Sequence, residues 1–283
     1  MTKQLLSKIE GCYSSMSKGH KRITDYITEN YDKAAFMTAA KLGDAVGVSE
    51  STVVRFASEL GFSGYPQLQK TLQEVVKSRL TSVQRMEAAG GEDMLEHAFS
   101  SDIDTIKATR ESISREAFNA SVEAINRAKH IYVLGVRSAA SLASFAAFYL
   151  NFVYDSVTLI EPAGTGEAFD QAFRINKDDV CIAISFPRYS KQTINMLRFI
   201  SDRGATVISV TDSENSPIAQ FATHLLLARS SMVSFVDSLV APLSLINALI
   251  AAASEKSGEV YSNLSSLENI WDEYQIYQTH EDE

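Results

Sequence analysis

Twenty residues, Ala39 to Ser58 (AAKLGDAVGVSESTVVRFAS), constrain the fold more tightly than any other part of the chain. Leu42, Val46, Val48, Val53 and Phe56 are spaced so that two short crossed helices can share one small core, and Gly47 falls where the chain must turn with positive φ. Ser49 stands at the N-cap of the second helix, where a hydroxyl oxygen accepts from an orphan backbone N–H. Beyond it, Glu50, Ser51, Thr52 and Arg55 form a polar side, while Val53, Val54, Phe56 and Leu60 supply an apolar side at helical spacing. The pattern predicts a helix-turn-helix whose polar face enters a DNA major groove.

A plain helical hairpin in an all-α domain uses the same apolar spacing, with Arg55 a solvated charge. The agreement of turn, cap and spacing favours DNA binding. Hydroxyls donate to phosphates or base edges and arginine grips a guanine edge in bidentate fashion, so Ser51, Thr52 and Arg55 are the candidate contacts, with Ser49 capping the helix that carries them. Gly61-Phe62-Ser63-Gly64-Tyr65-Pro66 then makes a tight connection, and Pro66 suits the first turn of a helix carrying Leu68, Leu72, Val75 and Val76. Ser63 and Tyr65 are further candidates for phosphate contact, Tyr65 being equally suited to packing. Upstream, Ser17 is placed to cap a helix through His20 to Tyr31 with Ile23, Tyr26 and Ile27 as its apolar stripe, and Thr38 to cap the first helix of the DNA-binding unit.

Charge divides the 283 residues unevenly. Residues 1–80 hold 11 Lys and Arg against 8 Asp and Glu, a net of +3; the whole chain has 26 against 35, which leaves −12 for residues 81–283. A mildly basic DNA-facing part is thus separate from an acidic remainder. The only cysteines, Cys12 and Cys181, suggest neither a disulfide framework nor a zinc site, and fit a reducing, cytoplasmic setting. Five scattered histidines show no metal-ligand spacing. Apolar stretches around 139–154 and 239–253 are broken by Ser, Asn or Pro and read as buried helices rather than membrane spans, and no signal segment or cofactor motif is evident.

The chain divides into a helical domain over 1–80, a linker and lead-in helix over 81–110 with Ala-Ala-Gly-Gly at 88–91, an α/β domain over 111–258, and an acidic C-terminal helix or tail over 259–283. Helices are expected near 94–111 and 115–128. Short buried-type runs at 130–135, 157–160, 180–185, 205–210 and 224–228 alternate with segments long enough for crossover helices, which predicts a five-stranded parallel sheet with helices on both faces. In such a sheet the ligand crevice lies beyond the carboxyl ends of the strands. The loop after the first run carries Gly135, Arg137 and Ser138; the loop after the third carries Ser185, Arg188, Tyr189, Ser190 and Thr193. Each leads into a helix N-terminus, where unpaired N–H groups and the helix dipole favour an anion such as phosphate, although a serine there also serves capping alone.

With both halves in view, the chain resembles the RpiR-type transcriptional regulators, which join an N-terminal helix-turn-helix domain to a C-terminal sugar isomerase (SIS) domain. The likeness rests on VGVSESTVVRFASELGFSGYPQLQ in the first domain and on IYVLGVRS and VCIAISFPRYSKQTINMLRFISDRGATVISVTDSENSPIAQFA in the second. It implies a phosphosugar effector that changes operator affinity to control carbohydrate genes. The family's phosphate loop reads roughly S-x-S-G-x-[ST]; Ser185 and Ser190 are kept, while Pro187 and Arg188 stand where Ser and Gly are expected, and Arg137 replaces a glycine of the first loop. One helix-turn-helix covers only a half-site, which predicts a homodimer or homotetramer on double-stranded DNA. The near-helical stripe Leu264, Leu267, Ile270, Trp271 and Tyr274 either forms an interface or folds back on its own domain. A second reading is a SIS-type sugar phosphate isomerase with a helical appendage. Its general base would come from Glu161 or Glu167, neither of which has a histidine beside it in sequence.

Overall fold

A computed structural model describes residues 13–77, 81–88, 93–161, 165–258 and 260–277. Cys12, Gly90 and Gly91 of the expected linker, and the side chains of Val75 and Val76, lie outside what is described. The chain forms two compact units, Met1–Asp93 with Met232–Val236, and Met94–Ser231 with Asp237–Glu283.

The first unit is helical: α1 (Lys18–Glu29), α2 (Tyr31–Ala34), α3 (Ala39–Val46), α4 (Glu50–Glu59), α5 (Tyr65–Lys77) and α6 (Ser82–Ala88). Local chemistry sets the boundaries. Ser17 accepts from the backbone N–H of His20 and Thr38 from that of Lys41, which starts α1 and α3. Gly47, at φ 66°, ends α3 while the N–H of Val48 returns to the carbonyl of Gly43 at 2.9 Å, the left-handed stop that a side chain would strain. Ile23, Ile27, Leu42, Val53, Phe56 and Leu68 are fully buried together. Val48, expected in this core, is only half-buried at its edge.

The second unit begins with α7 (Met94–Ser112) and α8 (Arg115–Arg127) and continues β1 (Ile131–Gly135), α9 (Ala140–Leu150), β2 (Val157–Ile160), α10 (Thr165–Ala172), β3 (Val180–Ile184), α11 (Lys191–Asp202), β4 (Thr206–Thr211), β5 (His224–Leu227), α12 (Val240–Lys256) and α13 (Val260–Glu273). All five strands are parallel, in the order β2-β1-β3-β4-β5. Alternate residues feed two cores: Ile131 and Val133 pack with α8, α9 and α12, while Tyr132 and Leu134 pack with α10 and α11. This is the doubly wound sheet expected from the strand runs.

Two features depart from the sequence reading. The connection from β4 to β5 holds only a 3-10 turn, Ala219–Phe221, rather than a crossover helix. Pro217 interrupts it, and the carbonyl of Ile218 is held by the Ser209 hydroxyl. A two-stranded ribbon, Ser231–Met232 with Asp237–Ser238, also precedes α12. In α13, Trp271 stacks edge-on against Phe152 and Asn263 donates to the carbonyl of Val153, so part of the C-terminal stripe folds back on its own unit.

Candidate DNA-reading face and effector site

In the first unit, α4 presents Glu50, Ser51, Val54 and Arg55 around one surface concavity. Ser49 caps α4, accepting from the N–H of Thr52 at 3.3 Å, and its hydroxyl also pairs with those of Ser51 and Thr52 at 2.9 and 2.8 Å. The Arg55 guanidinium lies back along the helix, donating from Nε to the Ser51 carbonyl at 3.3 Å. These are weak, exposed contacts that an incoming base edge or phosphate can replace. Ser63 is exposed, with its N–H donated to Gln67 Oε1.

Helix α1 braces α4 at both ends. Arg22 donates to the Gly47 carbonyl in the turn, and His20 Nδ1 lies 2.7 Å from Glu59 Oε2 at the end of α4, with the imidazole edge-on to Phe56. Such bracing holds a recognition helix in one orientation, which groove entry requires.

Two expectations for this face are corrected. Tyr65 is 3% exposed and donates to the Met37 carbonyl at 2.7 Å, and burial pushes its hydroxyl up to about 12, so it is a core and bracing residue, not a phosphate contact. Gln69 and Gln73 extend the same ladder to the carbonyls of Met37 and Ala35. Val54, assigned to the apolar inner side, is 39% exposed on the outer face beside Arg55. Its exposed methyls make the outer face of α4 partly apolar. Positions 50, 51, 54 and 55 share one face at helical spacing, a signal present in the sequence but masked by the valine's hydrophobicity.

In the second unit the strand order reverses between β1 and β3, the switch point where the crevice of such a sheet opens. The register pairs Gly135 with Ile184, so Val136 and Ser185 leave the sheet side by side. Gly135 is required sterically: a Cβ there would lie 2.6 Å from the Ala139 carbonyl oxygen and 2.8 Å from the Ala143 Cβ. Arg137 follows with φ 57°, the left-handed conformation in which glycine is at ease, so the backbone of a glycine loop persists with an arginine on it. Arg137, Ser138 and Arg188 are exposed in the loops that follow β1 and β3.

The second loop is tied down differently. Tyr189 donates to Asp212 Oδ1 at 2.6 Å, joining it to the residue that follows β4; Asp212 was not among the residues expected here. Ser190 caps α11, accepting from the N–H of Gln192 at 3.2 Å. Ser185 is 4% exposed, with its N–H donated to the Val210 carbonyl. Thr193, in the first turn of α11, is fully buried, and its Oγ1 has no hydrogen-bond partner. An unsatisfied hydroxyl at a helix N-terminus is suited to donate to an anion's oxygen. Glu161 and Glu167, the acids an isomerase would draw on, are both exposed. Among the described residues no three His, Cys, Asp or Glu side chains are grouped to hold a metal, and no helix is long and apolar enough to cross a membrane.

Comparison with known proteins agrees with this division. A helix-turn-helix domain of the rpiR family matches residues 3–79 and a SIS domain matches residues 124–252. The regulator HexR of Pseudomonas aeruginosa is 25% identical over 228 residues, covering 78% of this chain and 77% of its own. Among solved structures, the NanR protein of Vibrio vulnificus complexed with ManNAc-6P aligns over 95% of this chain and 98% of its own, with TM-score 0.60 and 22% identity. The sugar isomerase domain of an RpiR transcription factor from Sphaerobacter thermophilus aligns over 60% of this chain and 96% of its own, with TM-score 0.57 and 29% identity.

Proposed function

The chain belongs to the RpiR-type helix-turn-helix regulators with a SIS domain, and from that premise we propose that a phosphorylated sugar bound at the β1 and β3 loops sets its affinity for an operator controlling carbohydrate genes. It is a transcriptional regulator and not an enzyme, as its curated relatives are. Ser51, Thr52, Val54 and Arg55 read the major groove while Ser49 and Ser63 face phosphates, and a homodimer or homotetramer engages both half-sites. In the second unit Thr193, Ser185 and the helix N-terminus at the start of α11 receive the phosphate. Gly135 lets the first loop approach closely, Ser138 adds a hydroxyl, and Arg137 and Arg188 supply charge. Tyr189 and Ser190 hold the second loop in shape.

The observation that carries the effector reading is the buried, unpartnered Thr193 Oγ1 beside the switch point. Calorimetry with aldose and ketose phosphates, each beside its unphosphorylated sugar, tests it. Only phosphorylated sugars should bind, and Arg188→Ala should weaken that binding by about 1.5–3 kcal/mol, the range for a hydrogen bond to a charged group. Equal binding of sugars with and without phosphate would refute the reading.

A further inference from the structure

Helices α7, α8 and α12 of the second unit enclose a cavity of about 300 Å³ that no residue of the β1 or β3 loop lines. Its walls are apolar, built from Ile106 of α7, Ile113 in the turn between α7 and α8, Phe118 of α8 and Leu245 of α12. Thr109 and Ser244 also line it, and both of their hydroxyls are engaged within the chain. Thr109 accepts from the Arg229 N–H at 2.9 Å, and Ser244 donates to the Val240 carbonyl at 3.0 Å. A sugar would therefore bury its hydroxyls against walls with little to offer them, at a cost in lost hydrogen bonds to water. An apolar tail meets no such cost. A dry cavity of about 150 Å³ lined by Leu, Ile and Phe takes benzene, so one about twice as large has room for a straight chain of about eight carbons.

The rim is cationic. Arg110, in the last turn of α7, and Arg115, the first residue of α8, both line the cavity and are exposed. Among the described residues neither guanidinium has a hydrogen-bond or ion-pair partner. Glu111 and Glu116, their neighbours in sequence, do not line the cavity. Two uncommitted guanidiniums over an apolar pocket call for a ligand with an anionic head and an apolar tail, and a guanidinium fork matches a carboxylate with two parallel N–H donors.

We propose that this cavity is a second ligand site of the chain, for a medium-chain carboxylate whose tail lies among Ile106, Ile113, Phe118 and Leu245 and whose head pairs with Arg110 and Arg115. The site goes beyond the sugar phosphate reading and stands whether or not that reading does.

Calorimetry of the full chain with octanoate, kept below its micelle concentration, tests it. Octanoate should bind; 1-octanol, the same tail without the charge, should bind at least tenfold more weakly, and acetate should not bind measurably. From butyrate to octanoate each added methylene should tighten binding about fourfold, the value of one buried CH₂. The double substitution Arg110→Gln and Arg115→Gln, at exposed positions, should weaken octanoate at least tenfold and leave octanol unchanged, a split that misfolding does not produce. Ala248→Phe, at an exposed position on the cavity wall, should weaken both at least tenfold. No octanoate binding, a flat chain-length series, equal affinity for octanol, or an octanoate affinity that either variant leaves unchanged overturns the site. If octanoate does not bind and Ala248→Phe instead alters self-association in sedimentation, the cavity belongs to a contact between copies of the chain, which overturns the site equally.

Discussion

Helices α4 and α11 begin alike and end in opposite states. Each has a serine N-cap and a threonine three residues later, Ser49 with Thr52 and Ser190 with Thr193. In α4 the hydroxyls of Ser49, Ser51 and Thr52 are bonded to one another at an exposed surface. In α11 the cap bonds only the N–H of Gln192, and Thr193 is buried with nothing to bond. A surface hydroxyl cluster satisfied internally costs the free protein nothing and stays ordered for a large polyanion. A buried hydroxyl left unpaired costs the free protein about 1–3 kcal/mol, which a small ligand with an oxygen in the right place removes. The same four-residue signature thus leaves an exposed, mutually bonded hydroxyl cluster in one unit and a buried, unpaired hydroxyl in the other.

Four perturbations break or sharpen that contrast. The largest effect is expected from Thr193→Val, which keeps shape and deletes the unpaired hydroxyl. Binding of a phosphorylated sugar should weaken by about 1.5–3 kcal/mol, while the ligand-free protein melts at an unchanged or higher temperature. A lower melting temperature with intact ligand affinity would assign Thr193 to packing alone. Arg55→Ala comes next, with operator affinity falling by about 1–3 kcal/mol and sequence preference relaxing in titrations at fixed salt, and with the sugar phosphate response retained.

Smaller is the loss of the two caps. Ser49→Ala should destabilise the first unit and Ser190→Ala the second, each by about 1 kcal/mol in denaturant titration. Only Ser49→Ala should weaken operator binding in the absence of effector, because its hydroxyl also orders Ser51 and Thr52. The smallest effect is a pH dependence away from both sites. Burial lowers the His130 imidazole from its ordinary 6.5, and the ring is held between the hydroxyls of Ser156 and Thr158. With the folded-state value below the unfolded one, the unfolded chain binds the extra proton first. This contribution is therefore complete above pH 6.5 and falls as pH drops from there toward the lowered value. Denaturation midpoints measured from pH 7.5 to 5 should decline less in His130→Asn than in the parent chain.

Much of both units is legible in the sequence because the deciding interactions are local. Caps act over two or three residues, Gly47 answers to its own φ, and a strand such as β3 declares itself as an unbroken apolar run between turns. The candidate loops follow from the same information, since alternating strands and helices place their crevice at the strand ends. Legibility fails where a residue's surroundings come from far along the chain. Tyr65 meets the carbonyl of Met37, 28 positions away, and Tyr189 reaches Asp212 across the strand β4, so neither contact leaves a trace in spacing.

What the sequence by itself determined is a helical part followed by an α/β part and most of their elements, though not the 3-10 turn between β4 and β5 or the ribbon before α12, all set by backbone conformation and periodic hydrophobicity within a few residues. The tertiary structure decided which side chains are spent on holding the protein together and which are left exposed or unpaired. Val54 faces outward because Val53, Phe56 and Leu60 fill the space beneath α4, and Thr193 is unpaired because the packing around α11 buries it without offering an acceptor. Exposure and hydrogen-bond satisfaction are properties of the packed whole, fixed by volume and by distant neighbours, and no local rule carries them.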